Sequence, residues 1–435
     1  MKTKKSKTKF VTSDEAAIVI RSGDSIYVHA NCSFPKTLID AMCKRYKELK
    51  DVKILQLMSF LNAPFVQPEM EGHFHLVSLF TGPNIRKAVN EGRADFVPVF
   101  LSEIPWLIQS KKLPVDVTLL HVSPPDEHGY CSYGISNECS KTAAENSKTI
   151  IAQINPRMPR VLGDNFIHID KIDYAVEINE PIPEFVSSND AGEDIHIYER
   201  IGQYIADMIE DGSTLQMGIG LIPDTVLRFL HDKKNLGIHT EMFSDNLIDL
   251  IDSGVVNGEK KTLLPGKVVA SFILGSQKVF DYMDDNPVFE FRSSMFVNDP
   301  FTIARNDKMI SINSALEVDL TGQVCADSIG PRNYSGFGGQ VDFIRGASRS
   351  DGGKPIIAFT STAKNGTLSR IVPFLKQGAG VTTSRGDVHY VVTEYGVADL
   401  YGKPVSERVR SLIKIAHPNF RDELERYAKE VKYIR

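Results

Sequence analysis

The sequence lacks most of the features that would assign a class at once. It has one tryptophan and five cysteines in 435 residues. The odd count argues against a disulfide framework, and the closest pair, Cys131 and Cys139, is eight residues apart, wider than the gap of about two to four that zinc ligands use. Reduced, buried thiols are expected. His73 and His75 have no cysteine or carboxylate partner at ligand spacing, so no metal is expected. No Walker lysine loop, Gly-X-Ser-X-Gly elbow or His-Glu-X-X-His helix is present. No apolar run reaches the roughly 18 residues of a membrane span. The basic run Lys2–Lys9 precedes no apolar h-region, so neither a secretory signal nor a membrane partner is expected, and a cytoplasmic location is. A net charge of −5 gives no basic surface for nucleic acid, and the basic run is assigned no function.

The composition that remains, 42% hydrophobic and 24% charged, is that of an ordinary globular protein with a large core. The length suggests two domains. Short β-rich runs alternate with helical stretches throughout, among them Ser25–His29, Val52–Leu57, Phe96–Phe100, Val117–Val122, Thr214–Met217, Val268–Ile273, Ile356–Phe359 and His389–Thr393. This pattern predicts an α/β fold with largely parallel sheets.

Two internal echoes point to duplication. Gly23-Asp-Ser-Ile-Tyr-Val-His followed by Pro35 matches Gly212-Ser-Thr-Leu-Gln-Met-Gly followed by Pro223, each reading as strand, loop and a helix opened by proline. Asp126-Glu-His-Gly129-Tyr-Cys131 matches Asp319-Leu-Thr-Gly322-Gln-Val-Cys325. The offsets, 189 residues from Gly23 to Gly212 and 193 from Asp126 to Asp319, imply two similar α/β domains, residues 1–190 and 195–435, joined through the Pro/Ser/Gly-rich stretch 179–192.

Four segments could carry chemistry. Gly218-Ile219-Gly220-Leu221-Ile222 is a small-residue loop between strand and helix, able to bring backbone N–H groups close to a pyrophosphate or a thioester oxygen. Pro223 stands where a dinucleotide fingerprint needs glycine, which argues against NAD or FAD. A packing turn is the plain alternative. Gly237-Ile-His-Thr-Glu241-Met-Phe-Ser-Asp245 offers a carboxylate able to attack a carbonyl, although an ion-pair or capping role for Glu241, and capping by Ser244-Asp245, stay open on the residues alone. Tyr334–Ala347, with Gly336, Gly338, Gly339 and Gly346, could display N–H groups to an oxyanion. Lys364 and Arg370 follow the apolar strand at Ile356, where cations would suit phosphate or carboxylate. His417-Pro418 reads as a helix break.

Taken together, Gly218–Pro223, Gly237-Ile-His-Thr-Glu-Met242, Ile312–Gln323, Gly338-Gly-Gln-Val-Asp-Phe343, Thr393-Glu-Tyr-Gly396 and Ile415-Ala-His-Pro418 resemble the acetyl-CoA hydrolase/transferase family, the single-chain family I CoA-transferases. The resemblance spans nearly the whole chain. It implies two domains of the ribose-5-phosphate isomerase/CoA-transferase-like fold, a homo-oligomer, and coenzyme A as substrate and as a covalent glutamyl thioester, with no metal. The implied partners are acyl-CoA and short-chain carboxylic acids such as acetate, butyrate, propionate or 4-hydroxybutyrate. The family's catalytic glutamate falls on Glu241. Its oxyanion and CoA-binding positions fall on Gly218, Ile219, Gly220, Leu221, Ile222, Gly338, Gly339 and Lys364. Asn246 departs from the glycine common in the family after Ser-Asp. An acyl-CoA hydrolase is the near alternative, and a non-catalytic ligand-sensing module of the same fold the distant one.

Overall fold

The computed structural model describes residues 7–185 and 194–435. Residues 186–192 of the expected join at 179–192, and the start of the basic run, lie outside the described residues. The chain forms two compact units that interleave along the sequence. Residues 241–245 and 269–297 belong with the N-terminal portion in the first unit, and 194–240, 246–268 and 298–435 form the second. The division at 190/195 treats each half as one continuous segment, whereas local pairing draws the two short segments into the first unit. Met242–Phe243 pairs in parallel with Phe272–Ile273, and Phe272 in turn bridges Ser136.

In the first unit eight strands lie in the order Lys9–Phe10, Tyr174–Glu177, Thr149–Ile154, Val117–Val122, Ser25–Val28, Val52–Gln56, Phe74–Ser78 and Ala94–Phe96. Every neighbouring pair is parallel. The two central strands, Ser25–Val28 and Val117–Val122, are buried at every position, as a sheet covered on both faces requires. Ile26, Val28, Ile54, Leu76 and Leu119 form one core with Phe34, Leu38 and Met42 from the helix region that follows the first of these strands.

The second unit repeats this plan. Gly237–His239, Thr214–Met217, Met309–Asn313, Lys354–Ala358 and Tyr390–Thr393 are parallel neighbours in that order, and Gly396–Asp399 closes the edge antiparallel. The chain leaves the Thr214 strand on one side and later returns on the other, as it does around Ser25–Val28. The helix Ile195–Met208 packs on Leu221–Arg228. A Cβ at Gly202 would stand 2.8 Å from Thr225 Cγ2, so glycine permits that approach.

The second echo is reproduced bond for bond. Asp126 Oδ1 accepts from His128 and Tyr130 N–H, and Asp319 Oδ1 accepts from Thr321 and Gln323 N–H. Gly129 and Gly322 close the two turns at φ +85° and +93°, a conformation glycine adopts freely.

Three sequence expectations are corrected. Phe96–Phe100 is strand only at its start, within Ala94–Phe96, because Pro98 has no N–H to continue the ladder. Val268–Ile273 is broken into Val268–Ala270 and Phe272–Ile273, since the N–H groups of Ser271 and Phe272 both turn to the carbonyl of Glu241, at 3.0 Å each. The prolines do not stand first in their helices: Pro35 precedes Lys36–Lys44 and Pro223 is third in Leu221–Arg228. No helix among the described residues is long and apolar enough to cross a membrane.

Candidate active site

The second unit places three of the expected segments at one edge of its sheet. Gly218 follows the Thr214–Met217 strand, and Gly220, at φ +116° and ψ −179°, caps the helix Leu221–Arg228. That backbone conformation is essentially reserved for glycine. The space around the absent side chains of Gly218 and Gly220 is open, so the loop is not built around packing, as the plain alternative required. The first-turn N–H groups of a helix have no acceptor within it, and in this loop they belong to Leu221 and Ile222. Gly339 caps Gln340–Arg349 and Gly338 sits at φ +53°. Because that helix leads directly into the parallel Lys354–Ala358 strand, its N-terminus lies at the strands' C-terminal edge, the edge where open α/β sheets bind ligands.

The two cations differ in availability. Lys364 is exposed in the turn between Thr362–Ala363 and Leu368–Ser369, with φ +51°. Arg370 is occupied within the fold: its guanidinium donates to the carbonyls of Ala315 and Leu316 and to Thr360 Oγ1, and it lies 5.2 Å from the centre of the Phe359 ring. A ligand role for Arg370 is therefore not supported.

Glu241 follows the Gly237–His239 strand by two residues. Thr240 before it is buried and donates to the carbonyl of Met217, 3.2 Å away, at the start of the glycine loop. Within the first unit, residues 241–245 form a strap pinned at both ends on residues 271–276. At one end the carbonyl of Glu241 takes the N–H groups of Ser271 and Phe272. At the other, Asp245 accepts from Ser276 N–H at 2.9 Å and from Ser276 Oγ at 2.5 Å. Asp245 is thus not a cap for the residues that follow it, as the sequence alone allowed. Ser276 itself caps the helix Gln277–Met283. Gly275 leaves room for the carboxylate, since a Cβ there would fall 2.3 Å from Asp245 Oδ2. Sequence reasoning missed Gly275 and Ser276; a glycine–serine pair opening a helix was their only mark.

Asn246, the departure from the family pattern, donates to Asp224 Oδ1 at 2.5 Å. Burial raises the pKa of Asp224 above its ordinary value, and this hydrogen bond works against that rise. His417 caps the C-terminal helix Pro418–Glu430, in keeping with a break at that point. Among the described residues no group of three or more His, Cys, Asp or Glu side chains could hold a metal ion.

The same fold is found in solved CoA-transferases. The 4-hydroxybutyrate CoA-transferase of Porphyromonas gingivalis aligns with a TM-score of 0.83 at 41% identity, covering 97% of this chain and 98% of its own. The protein is an enzyme of the CoA-transferase class. More narrowly, the chain belongs to the acetyl-CoA hydrolase/transferase family, whose N-terminal domain matches residues 1–187 and whose C-terminal domain matches 275–428. It is 49% identical to the 4-hydroxybutyrate coenzyme A transferase of Clostridium kluyveri, over 96% of both chains. It is 47% identical to the succinyl-CoA:acetate/propanoyl-CoA:succinate CoA transferase of Fasciola hepatica, over 95% of this chain and 86% of that one.

Proposed function

We propose that the protein exchanges coenzyme A between a short-chain acyl-CoA and a free carboxylate, with Glu241 as the nucleophile. The observation that carries this reading is the near-full-length similarity to transferases of that type. Relatives at comparable identity are named for 4-hydroxybutyrate and for succinate, acetate and propanoate, so the overall likeness does not choose among them.

The Glu241 carboxylate attacks the thioester carbonyl, and the tetrahedral adduct expels CoA thiolate to leave an acyl-glutamyl anhydride. The thiolate then attacks the glutamyl carbonyl, releasing the first acid as carboxylate and leaving CoA as a glutamyl thioester. A second carboxylate attacks that thioester, forming a new anhydride and freeing the thiolate again. Attack of this thiolate on the new acyl carbonyl yields the product acyl-CoA and restores Glu241. No step consumes a proton or a nucleotide, since one thioester replaces another. Each adduct bears an oxyanion, for which backbone N–H donors in the Gly218–Ile222 and Gly338–Gly339 segments are suited. Exposed Lys364 is suited to a CoA phosphate. Support for Glu241 as nucleophile comes from its place on a strap held at both ends, because a carboxylate that must attack repeatedly gains from a fixed approach.

The test mixes the protein with butyryl-CoA and acetate while following acetyl-CoA by chromatography and free thiol by a colorimetric reagent. Acetyl-CoA without thiol, lost in Glu241→Ala, is the expected result, and intact mass should show CoA added to the wild-type chain only. Thiol release indifferent to acetate would establish a hydrolase instead. Undiminished transfer by Glu241→Ala would overturn the assignment of the nucleophile.

A further inference from the structure

We propose that Ser136 and Glu138 are positioning residues for Glu241, acting through the backbone of residues 271–274; the proposal rests on the reading of Glu241 as the nucleophile. Four successive N–H groups carry the connection. Those of Ser271 and Phe272 bond the carbonyl of Glu241, that of Ile273 bonds the carbonyl of Ile135, and that of Leu274 bonds the carbonyl of Phe243. The N–H of Asn137 returns a bond to the carbonyl of Ser271. Residues 271–274 are therefore held between the strap that bears Glu241 and residues 135–137, and a shift of the latter passes to the former through a single ribbon.

Residues 135–137 are fixed in turn by a buried polar network that the proposed reaction does not use. The carbonyl of Ser136 accepts from His29 Nε2 at 2.6 Å. The same imidazole takes the N–H of His121 on Nδ1, so its proton sits on Nε2 and the ring is a neutral donor to Ser136. Burial favours that neutral form, holding the pKa of His29 down to about 4. The hydroxyl of Ser136 donates to Glu138 Oε2 at 2.7 Å and accepts from Asn31 Nδ2 at 3.2 Å. Tyr27 OH reaches Glu138 Oε1 at 3.5 Å. His29, Ser136, Glu138 and Tyr27 are all fully buried, with Asn31 at 1% exposure.

Burying a carboxyl, two hydroxyls and an imidazole is costly unless each is bonded, and an apolar filling would be the simpler core. A connected network of this kind fixes geometry instead of adding bulk stability. In the second unit the corresponding strand end is the open glycine loop after Met217, so the fold itself does not require polar filling at this position.

The experiment compares Ser136→Ala, Glu138→Ala and Glu138→Gln with the wild-type full chain by steady-state transfer kinetics and by amide hydrogen exchange of peptides covering 271–274. Both alanine variants should lower kcat ten- to hundredfold with KM for acyl-CoA changed less than threefold. Glu138→Gln, which keeps an acceptor oxygen for Ser136, should stay within threefold of wild type. Exchange at 271–274 should quicken at least tenfold in Ser136→Ala. Unchanged exchange there, or equal loss of kcat in Glu138→Gln and Glu138→Ala, overturns the proposal. If the wild-type protein transfers no CoA, the functional reading fails, while the exchange measurement still decides whether residues 135–138 hold the strap.

Discussion

Replacing Gly275 with alanine tests whether the strap bearing Glu241 must be pinned at its far end. The glycine's backbone conformation is one any residue can adopt, so the objection to alanine is steric alone. The new Cβ would stand 2.3 Å from Asp245 Oδ2 and 2.6 Å from Val279 Cγ1. Relief requires moving either the carboxylate, with its two bonds from Ser276, or the first turn of the helix Gln277–Met283. Overpacking of this kind costs about 1–3 kcal/mol, and a hydrogen bond to a charged group about 1.5–3 kcal/mol. Since one can be traded for the other, the expected loss of stability is about 2 kcal/mol. The effect on rate follows from displacement: misplacing a reacting group by about 1 Å costs up to roughly a hundredfold. Gly275→Ala should therefore lower kcat for transfer by about tenfold or more, with KM for acyl-CoA little changed, and lower the urea midpoint. Asp245→Ala should lose rate similarly, and the double variant should be less impaired than the sum of the two, because the alanine methyl then fills the space the carboxylate has left. A Gly275→Ala enzyme with kcat within twofold of wild type would refute the reasoning.

Gly220→Ala should destabilise by about 1–3 kcal/mol through its backbone conformation alone, whereas Gly218→Ala should leave the urea midpoint unchanged and raise KM for acyl-CoA, which denaturation and kinetics separate. Lys364→Ala should leave stability intact and weaken CoA binding by less than about tenfold, with the deficit shrinking as salt screens the exposed charge; calorimetric titration at two ionic strengths checks this. Asn246→Gly removes the bond that favours ionised Asp224, so it should be less stable than wild type at neutral pH, with the gap closing as acid protonates Asp224 in both chains. Burial raises the pKa of Glu138 from its ordinary 4.5 to about 7. The folded chain then holds a proton that the unfolded chain has lost between those values, and this contribution to stability falls as pH rises from about 4.5 through 7, by about 3 kcal/mol in all. Glu138→Gln should gain on wild type over that window, as urea denaturation at stepped pH would show.

Much of the fold was legible because its signals are local. Thr214–Met217 and Val117–Val122 read as strands to the residue, since buried parallel strands are short apolar runs between polar breaks. The likeness of the two turns at Asp126 and Asp319 was legible because each aspartate closes its own loop onto N–H groups two and four residues on. What stayed hidden was non-local. Nothing near Asp245 announces Ser276, thirty-one residues away, and nothing in Val268–Ile273 shows that Ser271 and Phe272 will turn to Glu241. The polar side chains at His29, Asn31, Ser136 and Glu138 carry no shared mark in the sequence, and only the fold buries them together. Arg370 was misread for the same reason, because its carbonyl partners lie more than fifty residues earlier.

The paired turns have a consequence for the loops between them. Two halves that share the order of their central strands and an aspartate turn, bond for bond, present the same loop in two versions. At the offset of the first echo Asn31 occupies the position of Gly220, and at φ +56° it keeps a left-handed backbone where its counterpart kept glycine. One version of the loop is bare at this position, and the other carries a side chain that belongs to the interior. The filled version stands in the unit that also carries the strap, so the side chain that closes one loop lies in the same packed body as Glu241.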